Sequence, residues 1–268
     1  MSRASLAMYD MLEPVRAAND QLWVGVRERL RAAGVDAPDA LDRQISHDGI
    51  WLQPDLVLAQ TCGYPYIKML TGKVRLVATP VYDFAGGAGT ERTSFLIASE
   101  TNTGKNLESF RGSVAAVNDH MSNSGSNLFR AALAPLAGGK PFFSSVKITG
   151  GHLPSIAAVA AGEADIASID TVSWGMLDRH APDMLKGVRI IGETPSGPGL
   201  PFITRLSASD AEVDALRNAL KDAIADPALA DATKALGLRG VEVLSEDDYR
   251  RLDRLGIEAA ALNYPIIA

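Results

Sequence analysis

Apolar residues recur along the chain in two spacings, and their alternation predicts strands interleaved with helices. Val15, Ala18, Leu22, Val26 and Leu30 fall on one stripe, which predicts a helix from about Glu13 to Ala33, ended by Gly34. Short apolar or β-branched runs predict buried strands at residues 4–9, Leu56–Gln60, Val74–Thr79, Phe95–Ser99 and Ser113–Asn118. Further runs predict Lys147–Thr149, Ile166–Asp170, Val188–Ile191 and Phe202–Thr204. Helical spacing returns at Leu128, Phe129, Ala132, Leu133 and Leu136, again from Pro154 through Ile156, Val159 and Ala160, and over Val172–Arg179. Ser209-Asp210-Ala211-Glu212 reads as a capping box for a helix through Leu216, Leu220 and Ile224. Asp226-Pro227 and Ser245-Glu246-Asp247-Asp248 open two more.

Strands and helices alternating at this length predict an α/β fold built on mostly parallel sheets flanked by helices. Two connectors rich in glycine or proline, near residues 80–90 and at Glu193–Pro201, interrupt the alternation. They divide the chain into an outer lobe, residues 1–89 and 195–268, and an inserted lobe, residues 90–194. That arrangement predicts a two-lobed clamp crossed by two hinge segments, with a ligand in the cleft. One continuous doubly wound domain with two long loops is the other topology the pattern allows.

Composition narrows the function classes. The 268 residues carry a net charge of −6 with no basic cluster, which argues against nucleic acid as a partner. No apolar run reaches the length of about 18 residues that a membrane span requires. Cys62 is the single cysteine, and the four histidines at 47, 120, 152 and 180 lack metal-site spacing, so neither metal nor cofactor is expected. The first ten residues lack the apolar core of a secretory signal. As it stands the chain is expected in the cytoplasm, or in the periplasm if a leader precedes it.

The candidate chemistry concentrates in His120-Met121-Ser122-Asn123-Ser124-Gly125-Ser126-Asn127, between a predicted strand and a predicted helix. Backbone N–H groups and the positive end of a helix dipole point at solvent there. Gly125 permits close backbone approach, and Ser122, Asn123 and Ser124 add side-chain donors, a set suited to an oxyanion. A plain helix N-cap in a polar loop is the competing reading. Other polar residues fall at strand ends, where parallel sheets bind ligands: Tyr9, Tyr64, His152 and Asp170, with Tyr82 at the first connector. Each has an ordinary alternative: half-buried aromatics for Tyr9 and Tyr64, hinge packing for Tyr82, helix caps for His152 and Asp170. Cys62 reads as a small core residue.

Three segments carry a resemblance. Asn118 through Ala131, Ile148-Thr149-Gly150-Gly151-His152-Leu153-Pro154-Ser155, and Val159-Ala160-Ala161-Gly162-Glu163-Ala164-Asp165-Ile166-Ala167-Ser168-Ile169-Asp170 follow in that order. Together they resemble the phosphate, phosphite and phosphonate substrate-binding proteins of ABC transporters. Thr79-Pro80-Val81-Tyr82 and Pro198-Gly199-Leu200-Pro201-Phe202 fit that family's two crossings, so the likeness spans about residues 55–205. It implies a type II periplasmic-binding-protein fold, a small anionic ligand held by Ser122, Asn123, Ser124, Tyr82, His152 and Asp170, and an ABC permease as partner of an exported chain. Asn123 departs from the family's threonine, which leaves the head group open. Two other roles share the fold: a cytosolic enzyme resembling chorismate dehydratases, with acid or base chemistry from His152, Asp170 or Cys62, and a cytosolic ligand sensor.

Overall fold

The computed structural model describes residues 2–268. In chain order the first elements are β1 (Arg3–Ser5), α1 (Glu13–Ala32), β2 (Leu56–Gln60), α2 (Gly63–Pro65) and β3 (Val74–Tyr82). Then come β4 (Gly87–Ala88), β5 (Glu91–Arg92), β6 (Ser94–Ser99), β7 (Val114–Val117), α3 (Leu128–Ala137) and β8 (Ser145–Ile148). They are followed by α4 (His152–Ala160), β9 (Ile166–Asp170), α5 (Thr171–His180), β10 (Val188–Glu193), β11 (Gly197–Pro198) and β12 (Phe202–Arg205). The last are α6 (Asp210–Ile224), α7 (Ala230–Leu236), β13 (Leu238–Glu242) and α8 (Glu246–Ala261). None of these helices is long and apolar enough to cross a membrane.

Two compact units result. The first comprises Met1–Asp83, Ala88–Thr90 and Pro198–Asp248; the second comprises Phe84–Gly87, Glu91–Gly197 and Tyr249–Ala268. The sequence places everything after residue 195 in the outer lobe. Contacts instead put Tyr249–Ala268 with the second unit, because Ala259 and Tyr264 are buried in that unit's core beside Phe129, Phe142 and Phe143. The Ala268 carbonyl also accepts the Phe142 and Phe143 amides at 2.6 and 3.0 Å.

In the first unit the sheet order is β1-β2-β12-β3-β13. β1 pairs parallel with β2, whereas β12 runs antiparallel to both β2 and β3. β12 covers Val74–Ala78 of β3, and β13 pairs with Thr79–Tyr82 beyond it. Pro80, which has no N–H to donate, therefore sits in the part of β3 that β12 does not pair. The predicted first strand is shorter than its apolar run: Leu6 leaves the extended region, and the Ser5 hydroxyl accepts the Ala7 amide to start a tight turn over Ala7–Tyr9.

α1 buries Val15, Ala18, Leu22, Val26 and Leu30, the predicted stripe, and packs on α6 and α7. The close approach uses Gly25, where an added Cβ would stand 2.4 Å from the Leu229 side chain. Ser209 and Glu212 close the capping box at the start of α6. Ser209→Ala removes the acceptor for the Glu212 amide and is expected to cost about 1 kcal/mol, read as a lowered midpoint in urea denaturation.

In the second unit the sheet order is β10-β6-β9-β7-β8. β9, β7 and β8 are parallel neighbours, and β6 runs against both β9 and β10. The aromatic core lies against this sheet, with Phe142 and Phe143 edge to face at 5.0 Å.

Candidate functional site

Because β9, β7 and β8 are parallel and adjacent, the segments leaving their C-terminal ends emerge along one edge of the second unit's sheet. From β7 the chain reaches Ser122, whose extended backbone caps a wide helical turn over Asn123–Asn127 that continues into α3. The Ser122 hydroxyl accepts the Gly125 amide at 3.0 Å, and its carbonyl accepts the Asn127 amide at 3.0 Å. The N-cap reading of this stretch is thus realised. The same turn also carries Ser124, whose hydroxyl lies 3.5 Å from that of Ser122 and 3.0 Å from His152 Nε2.

His152 arrives from β8. Thr149 and Gly150 donate their amides to the Val117 and Asn118 carbonyls, which stitches the two loops together. Gly150 adopts φ +83°, a left-handed conformation that glycine takes without strain. The helix then opens at His152 rather than at Pro154, with the proline inside its first turn. The starts of two helices therefore converge within one hydrogen bond, with their positive dipole ends toward the Ser124–His152 pair.

Loss of hydration holds the His152 imidazole below its ordinary pKa of 6.5, and the negative charge of Asp170 only partly opposes this. The ring is therefore neutral at pH 7. Its Nδ1 is buried without a partner, and a buried acceptor costs less to leave unpaired than a buried N–H, so the favoured tautomer carries its proton on Nε2. The folded state binds fewer protons at this ring than the unfolded chain does, so stability is complete above pH 6.5 and declines as pH falls through it. Wild type is expected to lose up to about 1 kcal/mol more than His152→Gln between pH 6.5 and 5.5, measured by denaturant titration at each pH.

Asp170 ends β9. Its Oδ2 accepts the Ser173 amide at 2.7 Å, so it caps α5 as its ordinary reading expects. Asn123 is buried in the turn, and its Oδ1 is occupied by Asn127 Nδ2 at 3.1 Å. Asn127 in turn reaches the Leu252 carbonyl of α8 at 2.9 Å and accepts from Arg130 at 2.6 Å.

In the first unit Tyr9 and Tyr82 meet edge to face, with ring centroids 5.9 Å apart. Both are buried, as is Tyr64 in α2 just past the end of β2. Gln60, the last residue of β2, donates from Nε2 to the Leu200 carbonyl at 3.1 Å and to the Tyr82 hydroxyl at 3.4 Å.

Sequence reasoning missed Gln60 and also Ser168, whose hydroxyl donates to the Ser124 carbonyl at 2.7 Å and holds the turn from beneath. The signal for Ser168 was present. Strand periodicity puts it on the same face as Asp170, two residues on.

A family model described as ABC transporter, phosphonate, periplasmic substrate-binding protein matches residues 55–249. No curated protein matches the chain. Among solved structures, the binding-protein component of an ABC phosphonate transporter from Pseudomonas aeruginosa is 18% identical, with TM-score 0.72 over 90% of this chain and 82% of that one. PhnD1 from Prochlorococcus marinus, in complex with methylphosphonate, is 12% identical, with TM-score 0.70 over 97% and 98%. XAC2383 from Xanthomonas citri, bound to chloride ion, is 17% identical, with TM-score 0.71 over 98% of both chains. At these identities the structures establish the fold, which is that of the type II periplasmic binding proteins. The matched family segment begins just before β2 and contains both the Ser122–Asn127 turn and His152, and it places this chain in the phosphonate family of ABC-transporter periplasmic substrate-binding proteins.

Proposed function

We propose that the chain binds a small phosphonate-like oxyanion through Ser122, Asn123, Ser124, Gly125 and His152, and presents it to an ABC permease in the periplasm. The observation that carries this reading is the Ser124 hydroxyl 3.0 Å from His152 Nε2, at the converging starts of two helices. Ligand oxygens at this point would meet hydroxyl, imidazole and backbone donors, all neutral. Recognition by fixed dipoles suits a protein whose net charge is −6 and which offers no general positive field. Asp170 is assigned to a donor group elsewhere on the ligand, an amine or hydroxyl. Tyr9, Tyr64 and Tyr82 are assigned as aromatic and hydroxyl contacts from the first unit.

The role is binding rather than catalysis. Asp170 is engaged as a helix cap and His152 with Ser124, an arrangement that orients donors for a ligand. A ligand that favours one conformation shifts the population toward it, and that conformation is the proposed signal to the permease.

A thermal-shift screen tests the reading with phosphate, phosphite, methylphosphonate, aminoalkylphosphonates, sulfonates and carboxylate metabolites. A ligand at a hundred times its Kd adds about 2.7 kcal/mol of stability, enough for a plain rise in Tm. Stabilisation by a phosphonate or sulfonate is the expected result. Stabilisation by carboxylates alone would sink the oxyanion reading and favour an enzyme.

A further inference from the structure

Arg92 lies outside the anion turn, yet it is a buried charge of the second unit. The residue is only 4% exposed, and the hydrogen bonds of its guanidinium go to neutral oxygens. Nε and Nη2 both donate to the Thr171 hydroxyl, at 3.2 and 3.1 Å. Nη2 also donates to the Phe84 and Ala85 carbonyls at 3.0 and 2.7 Å, while Nη1 is buried with no partner. A buried cation held only by neutral acceptors is costly, so its retention calls for a task.

The partners of Arg92 point to that task. Phe84 and Ala85 belong to the segment where the chain first passes between the units, and Thr171 follows Asp170 directly as the first residue of α5. The same segment is fitted to α5 at two further points. An added Cβ at Gly175 would stand 2.2 Å from the Phe84 ring, which the Arg179 guanidinium covers at 4.5 Å. An added Cβ at Gly86 would stand 2.2 Å from Thr171 Cγ2, and φ +84° there independently favours glycine. Strand pairing adds a third link, since Ser94, two residues after Arg92, lies opposite Asp170.

We propose that Arg92 is a positioning residue that locks the crossing segment Phe84–Gly87 onto the Asp170 end of α5, so that ligand contact at that end and the conformation of the crossing segment form one event. The inference rests on the oxyanion-binding reading above and extends it from recognition to transmission. Every contact it uses lies in the second unit.

The experiment compares wild type, Arg92→Met and Thr171→Val by calorimetric titration and hydrogen exchange, with methylphosphonate and, in parallel, an aminoalkylphosphonate. In wild type, ligand is expected to slow amide exchange both in Ser122–Asn127 and in Phe84–Thr93. In each folded variant Kd rises at least tenfold, and at saturating ligand the first protection persists while the second is lost. Thr171→Val deletes the shared acceptor, along with that hydroxyl's own donation to the Gly86 and Thr93 carbonyls at 3.4 and 3.2 Å, and supplies a second reading of the same lock should Arg92→Met fail to fold. Protection of Phe84–Thr93 that survives in the variants, whatever happens to Kd, overturns the proposal alone. A wild-type chain that binds neither probe is titrated with phosphate, phosphite and a sulfonate in their place, and one that binds none of these overturns the oxyanion reading and takes this proposal with it.

Discussion

Ser124→Ala is expected to raise the Kd for a bound phosphonate by about 10- to 150-fold, the effect of losing one hydrogen bond to a charged group, while leaving the fold intact. The hydroxyl lies between Ser122 and His152, so its removal takes one donor from the ligand and the protein partner from Nε2. Its backbone role is untouched, because Ser168 holds the Ser124 carbonyl rather than the side chain. The Nε2–H left without its partner should cost about 1–3 kcal/mol of stability, so denaturant titration is read beside isothermal titration, which reports the loss in affinity.

Ser122→Ala is a different lesion. Its hydroxyl accepts the Gly125 amide, so truncation loosens the cap as well as the ligand contact. The double variant Ser122→Ala/Ser124→Ala should consequently depart from additivity, since the two hydroxyls share one turn. Undiminished affinity in the double variant would remove the oxyanion assignment from this stretch.

Much of this site was legible in the residues because its logic is local. A strand, a hydroxyl-rich turn and a helical stripe appear in order between Val114 and Ala137, and the structure sets them in that order. His152 was legible for the same reason, although the helix opens two residues earlier than its proline suggested. What local pattern cannot carry is contact between distant segments. Ser168 meets Ser124 across 44 positions, and Gln60 meets Leu200 across 140. The attachment of α8 is of this kind too. Its polar face says that one side is buried, but only Asn127 reaching the Leu252 carbonyl and Tyr264 in the aromatic core show against what. Arg92 is the extreme case, because nothing in its neighbours in sequence marks a buried arginine.

Gly125→Ala is expected to destabilise the protein by about 1–3 kcal/mol and to weaken oxyanion binding sharply, as overpacking of a tight site does. Strain in the backbone is not the reason, since Gly125 sits within the helical turn and is not left-handed. Helix propensity even favours alanine there, by up to about 1 kcal/mol. The obstacle is Asn118 from the end of β7: an added Cβ would stand 1.8 Å from its Oδ1 and 2.7 Å from its Cγ. One of the two must move, and moving the turn displaces the Gly125 amide from the Ser122 hydroxyl. Relief should come from the other side of the contact. Asn118 Oδ1 is buried without a hydrogen-bond partner, so Asn118→Ala alone forfeits little. In the double variant the clashing atoms are gone and the propensity gain remains. Stability should return to within about 1 kcal/mol of wild type, a coupling of the size that contacting residues show. Denaturant titration of the four chains measures that coupling, and phosphonate titration shows whether the turn has returned to place. A Gly125→Ala chain with wild-type stability and wild-type Kd would mean that this close approach does not set the geometry of the turn.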